Sequence, residues 1–519
     1  TPEMGDVGIP LFAFAKTLRM GSSVIASEVA KIIENELKDE ASKVGSFAAV
    51  GPYVNAKLNK SAASSDILGK IQAQGDNYGS LNAENKKPLE GKKVMLEFSS
   101  PNTNKPLHLG HLRNDALGES VSRILKKAGA EVFKVNIINN RGVHICKSML
   151  AYIINHSGKP EYVTETGISP DFKFTLKDTP ESLGVKSDRF VGDCYVEFEK
   201  LCKPTGCTED EEKALRPKYE AIAQSMLVEW EKGNEEIRKL WQQMNDWAIG
   251  GIKETYQRTD VSFDKLYYES ETYLKGKAEI LKGLEDGLFY KEEDGSVWVD
   301  LAEIKLDKKV LLRKDGTALY MTQDIGTAIY RHGDWAFNQL VYVVGSEQQY
   351  HFKVLFYILK KLGYEWADQL YHLSYGMVNL PEGKMKSREG TVVDADDLIN
   401  SLRDGALAEI SEKGREEAVG NPAEVAEKIA LGALHYYLLQ TTPTKDMLFN
   451  PKESLSFNGN TGPYLQYMGA RISSILRKTK ETGLEPSYNA EDLATLKDGA
   501  EWELVKTLSE FPSVVEKAA

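Results

Sequence analysis

The stretch from residue 92 to residue 140 constrains the fold more than any other part of this chain. An apolar segment at 92–98 is followed by a polar loop, an amphipathic pattern at 111–130 and a second apolar segment at 131–140. The helical spacing of the apolar residues and the stop at Gly129 predict a helix between two strands. This order predicts a parallel βαβ unit with its loop at the carboxyl edge of the sheet, where such folds bind ligands.

That loop contains two of the eight histidines of the chain, His108 and His111, with Gly110 between them. A glycine permits close approach of the backbone to a ligand, and the following helix offers unpaired N–H groups to phosphate oxygens. Imidazoles there can donate hydrogen bonds to a phosphate whose charge grows during a reaction. Polar loops also contain histidines by chance, so the pair alone fits either a nucleotide site or an ordinary loop.

The composition excludes several classes of protein. With 41% hydrophobic and 27% charged residues, the chain is typical of globular proteins. No apolar run approaches the ~18 residues of a membrane span and no signal pattern opens the chain, so we expect a cytoplasmic protein without a membrane partner. The four cysteines suit neither a disulfide scaffold nor a zinc site, which predicts free thiols and no bound metal. The net charge of −12 requires any RNA contact to be local.

The histidine loop belongs to an ordered series of motifs. HLGH resembles the His-x-Gly-His signature of class I aminoacyl-tRNA synthetases, and EFSSPNTNKPLHLGHLRN resembles arginyl-tRNA synthetases specifically. The resemblance covers nearly the whole chain, because it recurs in LRKDGTALYMTQDIGTA (312–328), YVVGSEQQYHFKVLF (342–356), GKMKSREGTVV (383–393) and LSFNGNTGPYLQYMGARI (455–472). It implies a ligase that activates L-arginine with ATP to arginyl-adenylate. The arginyl group is then transferred to the 3′ end of tRNA(Arg), with release of AMP and pyrophosphate.

The resemblance also implies an α/β fold with three parts. Residues 1–90 are expected to form part of a small α+β N-terminal domain, with a helix near 24–37 and a mobile connector at 62–93. Residues 91–455 are expected to form the Rossmann-like, parallel-sheet catalytic domain, with an insertion at about 150–235. Residues 456–519 are expected to begin a helical anticodon-binding domain that is incomplete. Both ends of the chain are interpreted as truncated, and we expect a monomer.

An enzyme that selects arginine must hold a planar, permanently charged guanidinium, which carboxylates do best. Asp324 and Glu97 are the candidates. Asp324 and Tyr320 are predicted at a strand end that enters a loop, although Asp324 alternatively caps a following helix. Glu97 lies in an apolar strand and requires a partner, either a protein cation or the substrate. The resemblance implies that Glu97, Asn102, Tyr320, Asp324 and Gln348 line the arginine pocket.

For the nucleotide, the resemblance implies in-line displacement at the α-phosphorus with the arginine carboxylate as nucleophile, so no protein residue attacks. Negative charge is expected to be offset by Mg²⁺ carried on ATP and by His108, His111, Lys105, Lys384 and Lys386. Gly345 ends a predicted strand at the ligand-binding edge, and His351 follows it as either an adenine neighbour or a helix cap. The full set expected around ATP is Pro101, Gly110, His111, Gly345, His351, Met377, Val378, Met385 and Arg388.

Two segments depart from the family pattern. GKMKSREG resembles the Lys-Met-Ser-Lys-Ser loop, but Lys386 takes the usual serine position and Ser387 the usual second lysine. The lysine before the first histidine, here Lys105, is expected to substitute for the missing one. Asn140 and His144 stand where the family usually has aspartate and glutamine, and the sequence does not account for this change.

The predicted RNA contacts lie near the end of the chain. Tyr464, Arg471, Arg477 and Lys478 combine rings for bases with cations for phosphates, although a tyrosine stripe also fits an ordinary core. Two rival functions remain open at this point. One is a different nucleotidyl transferase with a His-x-Gly-His turn, and the other is a non-catalytic tRNA-binding or regulatory protein with a decayed site.

Overall fold

The structure is a computed structural model that describes residues 4–82, 84–381, 393–412, 414, 420–485, 487–493, 495–496 and 499–519. Its strands are β1 (Val7–Pro10), β2 (Gly45–Val50), β3 (Tyr53–Leu58), β4 (Lys93–Glu97), β5 (Glu131–Ile138), β6 (Lys265–Tyr268), β7 (Tyr290–Lys291), β8 (Val297–Val299), β9 (Lys309–Leu312), β10 (Gln339–Gly345), β11 (Leu370–Tyr375), β12 (Val378–Asn379) and β13 (Met447–Leu448). Its first ten helices are α1 (Phe12–Leu18), α2 (Ser22–Glu36), α3 (Lys38–Val44), α4 (Lys60–Gln74), α5 (Leu109–Lys127), α6 (Val143–Asn155), α7 (Pro180–Leu183), α8 (Ser187–Cys202), α9 (Glu209–Glu231) and α10 (Glu235–Arg258). The later ones are α11 (Glu269–Thr272), α12 (Lys275–Glu285), α13 (Tyr320–Asp334), α14 (Gln349–Lys361), α15 (Ala395–Glu412), α16 (Pro422–Leu439), α17 (Pro451–Ser454), α18 (Gly462–Glu481), α19 (Ala490–Leu493) and α20 (Gly499–Ala518).

The chain divides into two compact units, one of Thr1–Glu90, Lys127–Gly129 and Ser473–Ala519, and one of Gly91–Lys126 and Ala130–Ile472. In the first unit an antiparallel sheet of order β1-β3-β2 packs with helix α2. Its core is small and includes Leu11, Ile25, Ala26 and Val54. The helix predicted near 24–37 is confirmed as α2.

The connector predicted at 62–93 is wrong over most of its first half, because Lys60–Gln74 is helix α4. The side chain of Asn59 caps this helix by accepting a hydrogen bond of 3.2 Å from the Ala62 amide. The many Ser and Gly residues obscured two stronger signals, the cap and the apolar residues Ile67, Leu68 and Ile71 at helical spacing.

The second unit is built on a five-stranded sheet of order β11-β10-β4-β5-β6, in which every neighbouring pair is parallel. Strand β4, helix α5 and strand β5 form the predicted βαβ unit, which is thereby confirmed. The strand predicted at 342–344 is confirmed as the end of β10, which pairs with β4 so that Tyr342 lies opposite Glu97. The α/β fold class is therefore confirmed, and the loops after β4, β5 and β10 share the carboxyl edge of the sheet.

Helix α13 corrects the sequence-based view of Tyr320 and Asp324. We predicted a strand end, but the helix begins at Tyr320 and Asp324 lies in its second turn. The alternative in which Asp324 caps the helix is wrong for the same reason. The buried residues Met321, Ile325 and Ala328 follow helical spacing, and over so short a stretch the polar residues between them imitate strand alternation.

The connection from β5 to β6 contains helices α6 to α10. These helices enclose a hydrophobic core of their own, in which Tyr152, Phe198, Met226 and Leu240 are almost completely buried. The helical part continues to Arg258, beyond the limit of about 235 that the sequence suggested for the insertion. Helix α10 returns the chain to the sheet at the start of β6.

Candidate active site

A cleft of about 550 Å³ opens at the carboxyl edge of the sheet. All five residues predicted for arginine line it: Glu97, Asn102, Tyr320, Asp324 and Gln348. Asn102 is positioned by the segment after β4, where it forms a parallel bridge with Asn139 after β5. The structure thus brings together side chains that lie as far apart in sequence as residues 97 and 348.

Two helix faces form the other walls of the cleft. Tyr320, Asp324, Thr327 and Arg331 line it from α13, at intervals of four, three and four residues. This spacing places the four side chains on one face of a helix. The cleft is also lined by His351, Phe352 and Leu355 of α14, again on one face.

Asp324 is held by His351, whose Nε2 lies 2.6 Å from the Asp324 Oδ2. The Asp324 side chain keeps 42% of its exposure, so its carboxylate remains accessible from the cleft. His351 was expected beside adenine or as a helix cap. The structure places it on the Asp324 side of the cleft, where it orients the carboxylate.

Glu97 forms a buried ion pair with Arg331. Of the two partners left open by the sequence, the structure provides the protein cation. Burial lowers the pKa of Arg331, but Glu97 together with nearby tyrosines raises it overall, whereas burial raises the pKa of Glu97 despite the opposing effect of Arg331. The Nε and Nη2 atoms of Arg331 have no hydrogen-bond partner among the described residues, although Arg331 lines the cleft.

Sequence reasoning missed Glu269, a third acid in the cleft. It follows β6 at the start of α11 and is 9% exposed. Burial raises its pKa to about 7, with Arg141 lowering it and the charge of Asp324 raising it further. No motif marked this residue. The signal available was an acid directly after an apolar strand, at the same sheet edge as the other ligand-binding loops.

The two atypical positions after β5 also have structural roles. Asn140 accepts hydrogen bonds at its side-chain oxygen from the Ser270 amide (3.0 Å) and at its carbonyl from the Trp241 indole (2.7 Å). His144 lines the cleft from the first turn of α6, and its Nδ1 lies 3.1 Å from the Tyr195 hydroxyl. Asn140 therefore ties the end of β5 to the insertion, whereas His144 faces the substrate side.

The histidine pair forms a compact turn at the start of α5. The His108 amide donates to His111 Nδ1 and the Gly110 amide donates to His108 Nδ1, both at 3.1 Å, while the rings lie 3.9 Å apart. Each Nδ1 accepts a hydrogen bond from a backbone amide, so each neutral ring carries its own proton on Nε2. Burial, with Lys105 nearby, lowers the pKa of His108 to about 3 and that of His111 well below its ordinary value.

With pKa values lowered in this way the rings are neutral donors, which is compatible with the expectation that imidazoles here donate hydrogen bonds to phosphate. Burial lowers the pKa of Lys105 too. Gly110 has a structural role beside the predicted one. A Cβ there would lie 2.9 Å from His108 Cε1, so the missing side chain makes room for the His108 ring.

Pro101, Gly345, Met377 and Val378, which were also predicted for ATP, do not line this cleft. Pro101 is buried, and its carbonyl accepts a hydrogen bond of 3.0 Å from the Asn139 amide. The space over Gly345 is filled by the Glu347 carboxylate. The Met377 amide donates to Asp446 and its carbonyl accepts from Met447 and from the side chain of a buried arginine, so the Met377 backbone is not offered to adenine as predicted.

That arginine, Arg113, was not identified from the sequence. It is completely buried on α5, and its two terminal nitrogens donate to the carbonyls of Gly376, Met377, Pro443 and Lys445 at 2.6–3.2 Å. A buried cation bound to four carbonyl oxygens joins the histidine helix to the segments around β12 and β13. Val378, the other predicted adenine contact, lies in β12 beside Met447.

Lys384, Met385, Lys386 and Arg388 lie outside the described residues.

The predicted RNA contacts Tyr464, Arg471, Arg477 and Lys478 all lie on α18, and all four side chains are exposed. Tyr467 is also exposed, and the Arg471 guanidinium lies 5.6 Å from the centre of its ring. None of the described helices has the length and apolar run needed to cross a membrane.

Comparison with known proteins settles the family. Residues 79–451 match the family model of the class I tRNA synthetase (R) catalytic domain, and residues 465–519 match the DALR anticodon-binding domain. The chain belongs to the class I arginyl-tRNA synthetases. It is 63% identical over 530 aligned residues to the arginine–tRNA ligase of Treponema denticola and 53% identical over 520 to that of Treponema pallidum. In each case the alignment covers 100% of this chain and 82% of the relative.

Among solved structures, the arginyl-tRNA synthetase of Thermus thermophilus matches with a TM-score of 0.73 and 26% identity, over 99% of this chain and 82% of that one. The resemblance stated from the motifs is therefore confirmed. Membership in this synthetase family also confirms the expected reaction, which is arginine activation followed by tRNA charging. The match of both the catalytic and the anticodon-binding domains excludes a different nucleotidyl transferase, and the high identity to arginine–tRNA ligases supports a catalytic protein.

Proposed function

We propose that this arginine–tRNA ligase binds the guanidinium of L-arginine in the cleft between β4, α13 and α14, and ATP at the turn that contains His108 and His111. The observation that carries the proposal is that Glu97, Asn102, Tyr320, Asp324 and Gln348, scattered over the sequence, line one cleft. Asp324, accessible from the cleft and oriented by His351, supplies the carboxylate for the guanidinium. Glu97 is already paired with Arg331 and contributes through that pair.

The chemistry requires alignment more than a protein nucleophile. The carboxylate of arginine attacks the α-phosphorus of ATP and pyrophosphate leaves, so the enzyme has to align the reactants and stabilise charge on phosphate oxygens. The Nε2–H groups of His108 and His111 act as fixed neutral donors, and Lys105 supplies a positive charge. Mg²⁺ accompanies ATP as part of that substrate, and Lys384 and Lys386 are proposed to contact its phosphates.

The second step transfers the arginyl group to the terminal adenosine hydroxyl of tRNA(Arg). We assign residues 91–455 to the catalytic domain, with its insertion, and residues from 456 onward to the anticodon-binding domain. Tyr464, Arg471, Arg477 and Lys478 are proposed RNA contacts because they combine exposed rings with cations on one helix. We further propose a cytoplasmic monomer.

The decisive experiment is arginine-dependent exchange of labelled pyrophosphate into ATP, measured on the full chain with and without a tRNA(Arg) transcript. We expect exchange that requires arginine and is stimulated by the tRNA. Exchange with lysine at comparable rates would contradict the guanidinium site. Absence of exchange from a folded chain that still binds ATP and arginine would contradict the proposed catalytic turn.

A further inference from the structure

The segment that enters the proposed active site begins with a strained bend. Ser99 and Ser100, directly after β4, have φ angles of +74° and +51°. This left-handed region is sterically unfavourable for residues with a Cβ. Two such residues in succession persist only where surrounding groups hold them. The bend directs Asn102 into the cleft and leads on to Lys105 and His108.

Buried hydrogen bonds hold this bend. The Ser99 amide donates to Asn114 Oδ1 at 2.6 Å, and the Ser100 amide donates to Asn136 Oδ1 at 2.9 Å. Asn136 Nδ2 donates to the Tyr256 hydroxyl at 3.0 Å, so the Tyr256 proton is available to the Ser99 Oγ, 2.6 Å away. Tyr256 is only 6% exposed and lies in the last turn of α10, where the insertion ends.

The residues on either side of Tyr256 bind a second segment. Asp396, in the first turn of α15, accepts hydrogen bonds from Thr255 Oγ1 (2.8 Å) and Arg258 Nη1 (3.0 Å), as well as from Lys186 Nζ (2.6 Å). Arg258 is itself fixed by Glu427, 2.7 Å from its Nε. Three donors on one carboxylate, two of them charged, make a strong attachment.

That second segment also touches the histidine turn. Asp394 forms a backbone bridge with His108, and the Leu109 amide donates to the Val393 carbonyl. In sequence, Asp394 lies six residues after Arg388, the last residue predicted to contact the triphosphate. The Ser99 bend and the Asp394–Asp396 segment are therefore joined twice, once directly at His108 and once through the last turn of α10.

We infer that the last turn of α10, Thr255 to Arg258, is a positioning element for arginine activation. Tyr256 fixes the Ser99–Ser100 bend, while Thr255 and Arg258 fix Asp396. One helix turn therefore holds the Ser99 bend and the Asp394–Asp396 segment in fixed positions relative to each other. These residues touch no substrate and act through the segments that they hold. The inference rests on the proposed function of those segments, and it makes the end of the insertion part of the catalytic apparatus.

The test compares Tyr256→Phe with a matched control, Tyr152→Phe. Both variants remove one buried hydroxyl, but the Tyr152 hydroxyl bonds to the Asp178 carbonyl at 3.2 Å inside the insertion, away from the bend. For Tyr256→Phe we expect the kcat of arginine-dependent pyrophosphate exchange to fall about tenfold or more, because small misplacements of reacting groups are costly. The KM for arginine should change less than threefold. Tyr152→Phe should keep the wild-type kcat while lowering the melting temperature at least as much.

A second variant, Asp396→Asn, tests the other attachment. We expect the KM for ATP to rise at least fivefold, with the arginine KM almost unchanged, and Asp396→Glu to recover part of the loss. In the double variant with Tyr256→Phe, the loss in kcat/KM should differ from the product of the single losses, because one element serves both segments.

The outcomes separate this inference from the proposed function. A wild-type chain without arginine-dependent exchange overturns the proposed function. An active wild type in which Tyr256→Phe behaves like Tyr152→Phe overturns the positioning role. Strictly multiplicative effects in the double variant overturn the claim that a single helix turn coordinates the two segments.

Discussion

The cleft wall that contains Asp324 and the turn that contains His108 differ in the charge of their functional groups. On the cleft wall the functional groups are carboxylates, and each is held by a side chain: His351 for Asp324 and Arg331 for Glu97. In the histidine turn the rings accept hydrogen bonds from backbone amides and are kept neutral by burial.

The difference matches the ligands that we propose. A guanidinium is always charged and planar, so a fixed opposite charge distinguishes arginine from uncharged amino acids, and its geometry distinguishes arginine from lysine. A triphosphate arrives with its own Mg²⁺ and changes charge during the reaction. Hydrogen bonds from neutral donors become stronger as the charge on the phosphate oxygens grows, which favours stabilisation of the transition state over the ground state. Because the donors carry no charge, they do not bind pyrophosphate too tightly for its release.

The largest expected effect removes the fixed charge on the cleft wall. Asp324→Asn should raise the KM for arginine about a hundredfold, since a hydrogen bond between charged groups contributes about 1.5–3 kcal/mol and the lost charge adds to that. The KM for ATP should change less than threefold. Exchange kinetics measure both values. Asp334→Asn is the control, because Asp334 lies on the same helix but pairs with Lys265. Unchanged arginine affinity would remove Asp324 from the pocket.

The next test concerns the neutral donors. His111→Asn keeps an acceptor near the position of Nδ1 for the His108 amide but loses the Nε2–H group. We expect kcat to fall more than tenfold with less than a threefold change in the arginine KM. His111→Gln, which can place an N–H near the Nε2 position, should recover part of the rate. A near-wild-type rate for His111→Asn would exclude the ring as a donor.

Replacing the side chain that orients Asp324 should have a smaller effect. His351→Ala leaves the carboxylate in place but free to rotate, so we expect the arginine KM to rise about five- to tenfold. In His351→Gln the new amide can still reach the carboxylate, and the KM should return toward the wild-type value. If alanine instead weakened ATP binding and spared arginine, the original placement of His351 beside the nucleotide would be correct.

The smallest expected effect depends on pH and involves Glu269. Because its pKa is raised to about 7, this carboxyl is mostly protonated at pH 6 and mostly ionised at pH 8. Ionisation adds a negative charge beside Asp324, so the arginine KM should fall a few-fold as the pH rises from 6 to 8. Glu269→Gln should abolish this dependence. The histidine turn makes no contribution here, since the pKa values of both rings lie well below that range.

The sequence allowed the fold and the candidate site to be predicted where local sequence signals agree with the tertiary structure. Strand β4, helix α5 and strand β5 have clear periodicity, and the motifs brought five distant residues into one predicted pocket. It failed where the chain is locally ambiguous. Around Tyr320, polar and apolar residues of helix α13 alternate as they do in a strand. In helix α4, the serines and glycines indicated a connector instead of a helix.

Other features could not be read from the sequence because they exist only after folding. The partner of Glu97 is Arg331, 234 positions away. The lowered pKa of His108 depends on burial and on the nearby charge of Lys105. Arg113 was read as part of a helix, and nothing in its surroundings indicated that four carbonyl groups from two distant segments converge on it. The residues corresponding to the Lys-Met-Ser-Lys-Ser loop stay a prediction.

The order of the central sheet has a consequence for how the chain acquires its fold during synthesis. Strand β4 pairs on one side with β5, which follows within forty residues, and on the other with β10, where Val94 lies opposite Gln339. At 5–20 residues per second, a ribosome needs about 12–50 s to make the intervening chain. For that time one edge of β4 lacks its final hydrogen-bonding partner. Until β10 emerges, that edge can pair with another chain, so this is the stage at which the nascent protein is most exposed to misassociation.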